Sequence, residues 1–485
     1  MRRLLTVFVA AVALVTAAAA FAADTSPGFV QRELDNGLEV FVVENHVVPL
    51  VRVQITFRCG AIAQTPETAG LFHLYEHMLF KGNTVYRTQT DFQAAMKELG
   101  VSTWNGGTST EYVTYFFTVP SDQLEKGIAF WANAVREPLL DPGELETEKD
   151  VVANEIKGVY GQPDDVFQSG LDRALYRQFP WRRDVTGSEK SIRAATVATL
   201  RALKDRFYVP NNAALFVGGD VTVDQVMAAA RKHFGNWPRS ADPWATPSPP
   251  HPGLAQDVRL AYADPQMYEG FAYVELVLRG PDVLADPAST FAADTWGKLL
   301  EDPNGRFKTA IFSKVPGLYK KEYLWAYYMT QRDGGSVSFS TYLLVSKAKP
   351  TGQRVLELAA AIQQELAAMA KDPGYFTSHD YQVLKAKLLD ERILERETAS
   401  GLIDQLSFWW ASSSTDYYLG YADNLARTGP ADIARWLQGW LIGKPSIAAM
   451  RLNPKDFSRE KDADLKAGFG EITKDNAYWW AAAGQ

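Results

Sequence analysis

Six of the chain's 25 prolines fall within residues 238–252. Proline at that density fixes φ and removes backbone donors, which excludes helix and central strand and leaves an extended, semi-rigid connector. The 485 residues are thereby divided into lengths of similar size, 23–237 and 255–485, with 238–254 between them. Each is long enough to bury a core of its own. An apolar content of 46% with 22% charged residues is ordinary for a globular chain and excludes disorder, collagen-like repeats and a coiled-coil rod. In the first half, β-branched and aromatic runs predict strands over 38–44, 51–57, 113–119 and 213–217. Helical periodicity falls over 69–81, 90–99, 124–135, 142–160 and 223–233. The second half reads the same way, with strands over 271–278 and 336–345 and helices over 292–300, 353–370 and 379–397. The class is α+β, without a short tandem repeat.

The N-terminus reads as an export signal. Arg2 and Arg3 precede a stretch, 4–20, that is apolar apart from Thr6 and Thr16, and Ala20-Phe21-Ala22 supplies a small-x-small cleavage pattern. The alternative is an uncleaved anchor, since the run is near the lower limit of a span. The polar Asp24-Thr25-Ser26 beyond it favours cleavage after residue 22. No later apolar run approaches that length, so no stable membrane span is expected after cleavage. Cys59 is the only cysteine, which excludes an intrachain disulfide and a cysteine-based zinc site. An exported chain of this kind suits a bacterial periplasm. The formal charge of −7 and pI near 5.6 lack the basic footprint of a nucleic-acid binder.

The chemistry concentrates in His73-Leu74-Tyr75-Glu76-His77. Thr65-Pro66 offers an N-cap and a first helical position, so the helix is expected to open there. From Ala69 to Phe80 its one acidic residue is Glu76, a pattern that predicts burial nearly all round. Two imidazoles and a carboxylate on such a helix need a reason, because unpaired polar groups in a core are costly. His73 and His77, at i and i+4, project from one face and can converge on one ion. Glu76 lies beside that line, placed to act as a general base without being a ligand. With six histidines in 485 residues the pattern is rare by chance; a closed structural metal site is the competing reading.

A catalytic zinc site needs a third protein ligand. On the helix from Pro142, residues Leu145, Glu148, Val152, Glu155 and Val159 form one stripe, expected to be buried. Glu148 and Glu155 are two turns apart on it. One can bind the ion while the other hydrogen-bonds a ligating histidine.

The run Gly70-Leu71-Phe72-His73-Leu74-Tyr75-Glu76-His77 and its continuation to Gly82 strongly resemble the inverted zinc motif of the pitrilysin/insulinase peptidases. Leu34 to Val40 resembles the family's first strand entry, Asn105 to Tyr115 its substrate-side edge strand, and Glu148 to Glu155 its distal acidic motif. Tyr208 to Asp220 resembles the close of its first domain. The whole first half is covered, and the second fits in layout. The resemblance is to a two-domain bacterial type, similar to a processing-peptidase subunit. It implies two related α/β sandwich domains, each a mixed sheet covered by helices. It makes His73, His77 and Glu155 the ligands of one Zn2+ per chain, Glu76 the general base toward zinc-bound water, and Glu148 the acid that orients a ligand. It also implies a peptide substrate that adds as a strand along Trp104, Asn105, Gly106, Gly107 and Thr108. Without the resemblance, Asn105-Gly106-Gly107 reads equally as a turn.

One element departs from the pattern. Active members place an arginine and a tyrosine opposite the zinc site from a C-terminal domain. Here Arg306 resembles the structural arginine of that region, the arginine expected near Lys314 is absent, and Tyr319 and Tyr323 are loosely placed. The expectation is a zinc endopeptidase working as one subunit of a dimer. Its partner is either a second copy or a homologous subunit carrying the Arg/Tyr pair. A non-catalytic peptide-binding or assembly subunit is the alternative. Single-chain members that enclose peptides hold about four such domains, so this chain reads as half of a chamber. His46, His233, His251 and His379 lack ligand spacing and are expected at the surface or in caps. Cys59 is expected to be a small buried residue. Trp409-Trp410, Tyr417-Tyr418 and Trp479-Trp480 fit a core, an interface or a peptide-contact wall equally well.

Overall fold

The computed structural model describes residues 28–481; the expected signal segment, 1–22, lies outside them. Two six-stranded mixed sheets form the frame. The first contains β1 (Val30–Glu33), β2 (Glu39–Glu44), β3 (Leu50–Phe57), β4 (Thr103–Thr108), β5 (Val113–Pro120) and β6 (Ala213–Gly219), in the order β1-β2-β6-β3-β5-β4. The second contains β7 (Val258–Ala263), β8 (Phe271–Arg279), β9 (Trp325–Met329), β10 (Ser336–Leu344), β11 (Ile447–Leu452) and β12 (Gly470–Ile472), in the order β12-β7-β11-β8-β10-β9. Five strands repeat one pairing scheme. β2 runs parallel to β6, and β3, β5 and β4 follow antiparallel in turn. Likewise β7 runs parallel to β11, and β8, β10 and β9 follow. The sixth strands differ: β1 is antiparallel to β2, whereas β12 is parallel to β7. The fold is therefore α+β with two related halves, and β4 and β9 occupy equivalent edges, free among the described residues.

Each sheet has two apolar faces, and each needs a cover. On the first sheet, Val40, Val53, Ile55, Tyr115 and Leu215 pack against helices of their own half, among them Leu71–Leu79 and Leu124–Arg136. The opposite face, Phe41, Val43 and Phe216, is covered by Leu402, Ile403, Leu406 and Trp410 from the helix Ala399–Ser412 of the other half. The second sheet is served reciprocally. Val277, Ile447 and Ala449 meet Val166, Phe167 and Leu171 of the helix Pro163–Leu175. This exchange settles the aromatic pairs. Trp409-Trp410 and Tyr417-Tyr418 belong to the core between the halves. Trp479 donates to Asp184 while Trp480 packs with Tyr160 and Tyr478. Trp410 is 1% exposed, donates Nε1–H to Glu39 at 2.7 Å and lies 3.9 Å beneath the Arg58 guanidinium. Trp410→Ala is expected to cost about 3–5 kcal/mol, read as a lowered urea midpoint.

Three expectations need correction. The motif helix spans Leu71–Leu79 and does not open at Thr65. Gly70 takes a left-handed conformation, φ 82°, and lies so close to the Thr186 carbonyl that a Cβ would overlap it, so the helix cannot extend back through it. Thr65 instead closes a local turn onto Thr68. The stripe on Pro142–Val159 is buried at Leu145, Glu148 and Val152 but not beyond; Ile156 replaces Glu155 and Val159 in the core. His251 is not at the surface. It is buried between Tyr176 and Phe179, and Arg182 bonds the neighbouring Pro249 carbonyl, so the proline-rich segment is docked there. Cys59 is a buried small residue, as its context predicts.

Candidate metal centre

The helix Leu71–Leu79 buries Leu71, Phe72, Leu74, Tyr75, Met78 and Leu79, which turns His73, Glu76 and His77 toward one half-buried face. Pro142–Val159 packs beside it and carries two carboxylates to the same place. Glu148 is buried beneath His77, while Glu155, 45% exposed, stands at the rim. His73 Nε2 and His77 Nε2 are 3.3 Å apart. Glu155 Oε2 lies 3.8 Å from the first and 3.6 Å from the second. Ligand atoms about 2.1 Å from a tetrahedral ion are separated by roughly 3.4 Å. The three donors thus already have the spacing of three corners of such a site, and two imidazoles with a carboxylate form a donor set suited to zinc.

Protonation favours the same use. Burial, and then proximity to His77, push the His73 imidazole down to about 4, which leaves it neutral at pH 7, the state that ligates a metal. His77 Nδ1 lies 2.9 Å from Glu148 Oε2. A carboxylate only accepts, so this bond makes Nδ1 the donor and leaves the Nε2 lone pair facing His73 and Glu155. Lys81 Nζ, 2.5 Å from the other Glu148 oxygen, balances the buried charge. His73 Nδ1 is buried without a partner among the described residues.

Glu76 lies beside the triad and is not one of its three donors. The Thr108 hydroxyl donates to its Oε2 at 2.6 Å. Burial raises its carboxyl above the ordinary range, partly offset by that bond and by His77. Thr108 ends β4, which among the described residues pairs only with β5 and leaves its outer edge free. The two glycines of β4 differ in role. A Cβ on Gly106 would sit 2.8 Å from the Phe80 ring and 3.1 Å from Glu76 Oε1, whereas one on Gly107 would meet nothing within 4 Å. Gly106 lets the strand close on the motif helix, and Gly107 faces open space.

The sequence profile described as Insulinase (Peptidase family M16) matches residues 39–189, and the one described as Peptidase M16 inactive domain matches residues 194–388. The chain belongs to the insulinase family of peptidases. Curated relatives of this insulinase-family chain include the uncharacterized zinc protease YmxG of Bacillus subtilis, 27% identical over 42% of this chain and 49% of that protein. The mitochondrial-processing peptidase subunit beta of Saccharomyces cerevisiae is 27% identical over 47% of this chain and 48% of its own length. The chain thus spans about half the length of the curated relatives it matches. Two solved structures share the fold. A protease from Helicobacter pylori has a TM-score of 0.72 at 20% identity, covering 88% of this chain and 99% of that one. The first half of the periplasmic protease PqqL from Escherichia coli has a TM-score of 0.71 at 16% identity, covering 91% and 96%.

In this insulinase-family chain, His73, His77, Glu155, Glu148 and Glu76 converge, with Asn105, Gly106, Gly107 and Thr108 alongside; Trp104 reaches back to the Phe80 ring at 5.3 Å. Arg306 pairs with Asp372 and lies over Tyr375, and Lys314 pairs with Glu365. Tyr319 and Tyr323 form a half-exposed aromatic group with Trp325 and Tyr342. Two contributions were missed from sequence. Lys81 neutralises Glu148, and its position one turn after His77 is the signal that was available. Thr108 holds Glu76 through a hydroxyl, which no local pattern foretells.

Proposed function

We propose that the chain is an exported zinc endopeptidase that cleaves peptides or unfolded segments, with domains 23–237 and 255–485 joined by 238–254. The observation that carries this reading is the spacing of His73, His77 and Glu155, with Glu148 behind His77 and Glu76 beside the triad at a free strand edge. His73, His77 and Glu155 would hold one zinc ion. Bound zinc supplies a Lewis acid that polarises a peptide carbonyl and acidifies water. Glu148 keeps His77 in the ligating tautomer. Glu76 takes a proton from the attacking water and returns it to the leaving amine. A peptide adds to β4, where main-chain bonds give affinity with little sequence demand. The leader at 1–22 and the fold shared with the periplasmic PqqL support a periplasmic location. The relative named as a processing-peptidase subunit supports a dimeric chamber, whose other half contributes the missing Arg/Tyr pair.

One experiment tests both parts. Hydrolysis of an unstructured peptide by the purified chain is expected to vanish on chelation and to return with zinc, and turnover per zinc should rise as sedimentation shows dimers forming. Hydrolysis indifferent to chelation would remove the zinc reading, and full turnover by monomers would remove the chamber.

A further inference from the structure

The turn Ser109–Tyr112 joins β4 to β5 and is gripped from two sides. From its own half, Ala61 N–H and Ile62 N–H donate to the Ser109 and Thr110 carbonyls at 3.2 and 2.8 Å. From the other half, the backbone N–H of Arg332 donates to Glu111 Oε1 at 2.6 Å and that of Asp333 at 3.4 Å. Glu111 is 2% exposed. Its second oxygen lies by the Ser412 hydroxyl without a hydrogen bond of ordinary geometry. Burying a carboxyl is costly unless hydrogen bonds offset it, and the bonds that do so here are made to the hairpin between β9 and β10.

That hairpin is itself held rigidly. Asp282 Oδ1 accepts from Gly334 N–H at 2.8 Å and Gly335 N–H at 2.9 Å. Tyr176 OH donates to the Gly334 carbonyl at 2.6 Å, Arg183 to Gln331 at 2.9 Å, and Arg182 pairs with Asp333. A short path leads from this joint to the site. Glu111 fixes the turn, the turn fixes Thr108 opposite Val113, and Thr108 holds Glu76 at 2.6 Å.

We propose that Glu111 is a positioning residue: it fastens the β4–β5 turn to the docked second half, so that Thr108 and the free edge of β4 hold Glu76 and the peptide in register. This rests on the reading of Glu76 as general base. The joint makes the catalytic geometry of the first half depend on the second, although the second half gives no ligand to the triad.

The test uses the full chain. Glu111→Ala is expected to lower kcat about ten- to a hundredfold, with zinc content unchanged and KM altered far less. Glu111→Gln, which keeps an acceptor oxygen, restores kcat to within about threefold of wild type. In a Thr108→Val background the further loss from Glu111→Ala shrinks below about threefold, because the path is already cut. Hydrogen exchange of amides 106–112 quickens in Glu111→Ala while β2 and β6 stay protected. Asp282→Ala, which loosens the hairpin without touching the turn, gives the same exchange pattern and supplies the answer if Glu111→Ala does not fold. Wild-type kcat with unchanged exchange in these variants overturns the proposal, as does full additivity with Thr108→Val. A wild-type chain that cleaves no peptide, as a dimer or with a homologous subunit added, overturns the reading of Glu76 instead, and the exchange result still decides whether Glu111 holds β4.

Discussion

Glu76→Gln is expected to lower kcat about a hundred- to ten-thousandfold and to leave zinc content unchanged. The candidate metal donors are His73, His77 and Glu155, and Glu76 is not among them. Its Oε2 is occupied by the Thr108 hydroxyl, and glutamine, of nearly the same size, can keep that bond through its carbonyl oxygen. What the amide cannot do is take up a proton. Zinc assay and peptide hydrolysis on the same sample separate the two functions. The pH profile provides a further check. Burial raises the Glu76 carboxyl, and the basic form is the competent one, so activity should climb with pH through a limb above the ordinary glutamate range. The residual activity of Glu76→Gln should lack that limb. A variant that retains both turnover and the limb would show that another group accepts the proton.

The difference between what was legible in the sequence and what was not follows the range of the interactions. His73, Glu76 and His77 could be read because their relation is set by one helical turn. Glu148 and Glu155 could be read because two turns separate them on one helix. The chain could not reveal that Glu155 leaves the core, because the position of the neighbouring helix decides which side of Pro142–Val159 is covered. The reciprocal covering by Pro163–Leu175 and Ala399–Ser412 was equally hidden, since each helix buries its face against a sheet of the other half. The helix Pro454–Lys466 is the clearest case. Its buried face carries Asp456, Glu460 and Asp464, which any periodicity argument assigns to solvent. Glu460 and Asp464 accept from Thr351 N–H and Gly352 N–H at 2.7 and 3.0 Å. They cap the helix Thr351–Lys371, which starts after Pro350 with no side-chain cap of its own. Acids more than a hundred residues away complete that helix. The 330–335 hairpin belongs to the same class, because Glu111 has meaning only once the two halves are docked.

Glu148→Ala is expected to weaken zinc binding about ten- to a hundredfold and to destabilise the zinc-free chain by about 3–5 kcal/mol. The two effects have separate origins. The first comes from His77, whose Nδ1–H loses its acceptor at 2.9 Å, so that the ring is no longer confined to the tautomer with a free Nε2 lone pair. The second comes from Lys81. Its ammonium lies 2.5 Å from Glu148, the two side chains are 15% and 5% exposed, and the variant leaves that charge without a counterion. Glu148→Gln tells them apart. The amide oxygen still accepts from His77, so zinc affinity should fall less than in Glu148→Ala, but the negative charge is gone and most of the stability loss should remain. Adding Lys81→Met to Glu148→Gln should recover stability without improving zinc affinity, because it removes the stranded charge and leaves the histidine contact as it was. Zinc competition against a chromophoric chelator reads the first quantity, and urea unfolding of the metal-free protein reads the second. If zinc affinity stayed within about twofold of wild type in Glu148→Ala, His77 would have to be held by its helix packing alone, and the buried carboxylate would serve only the lysine.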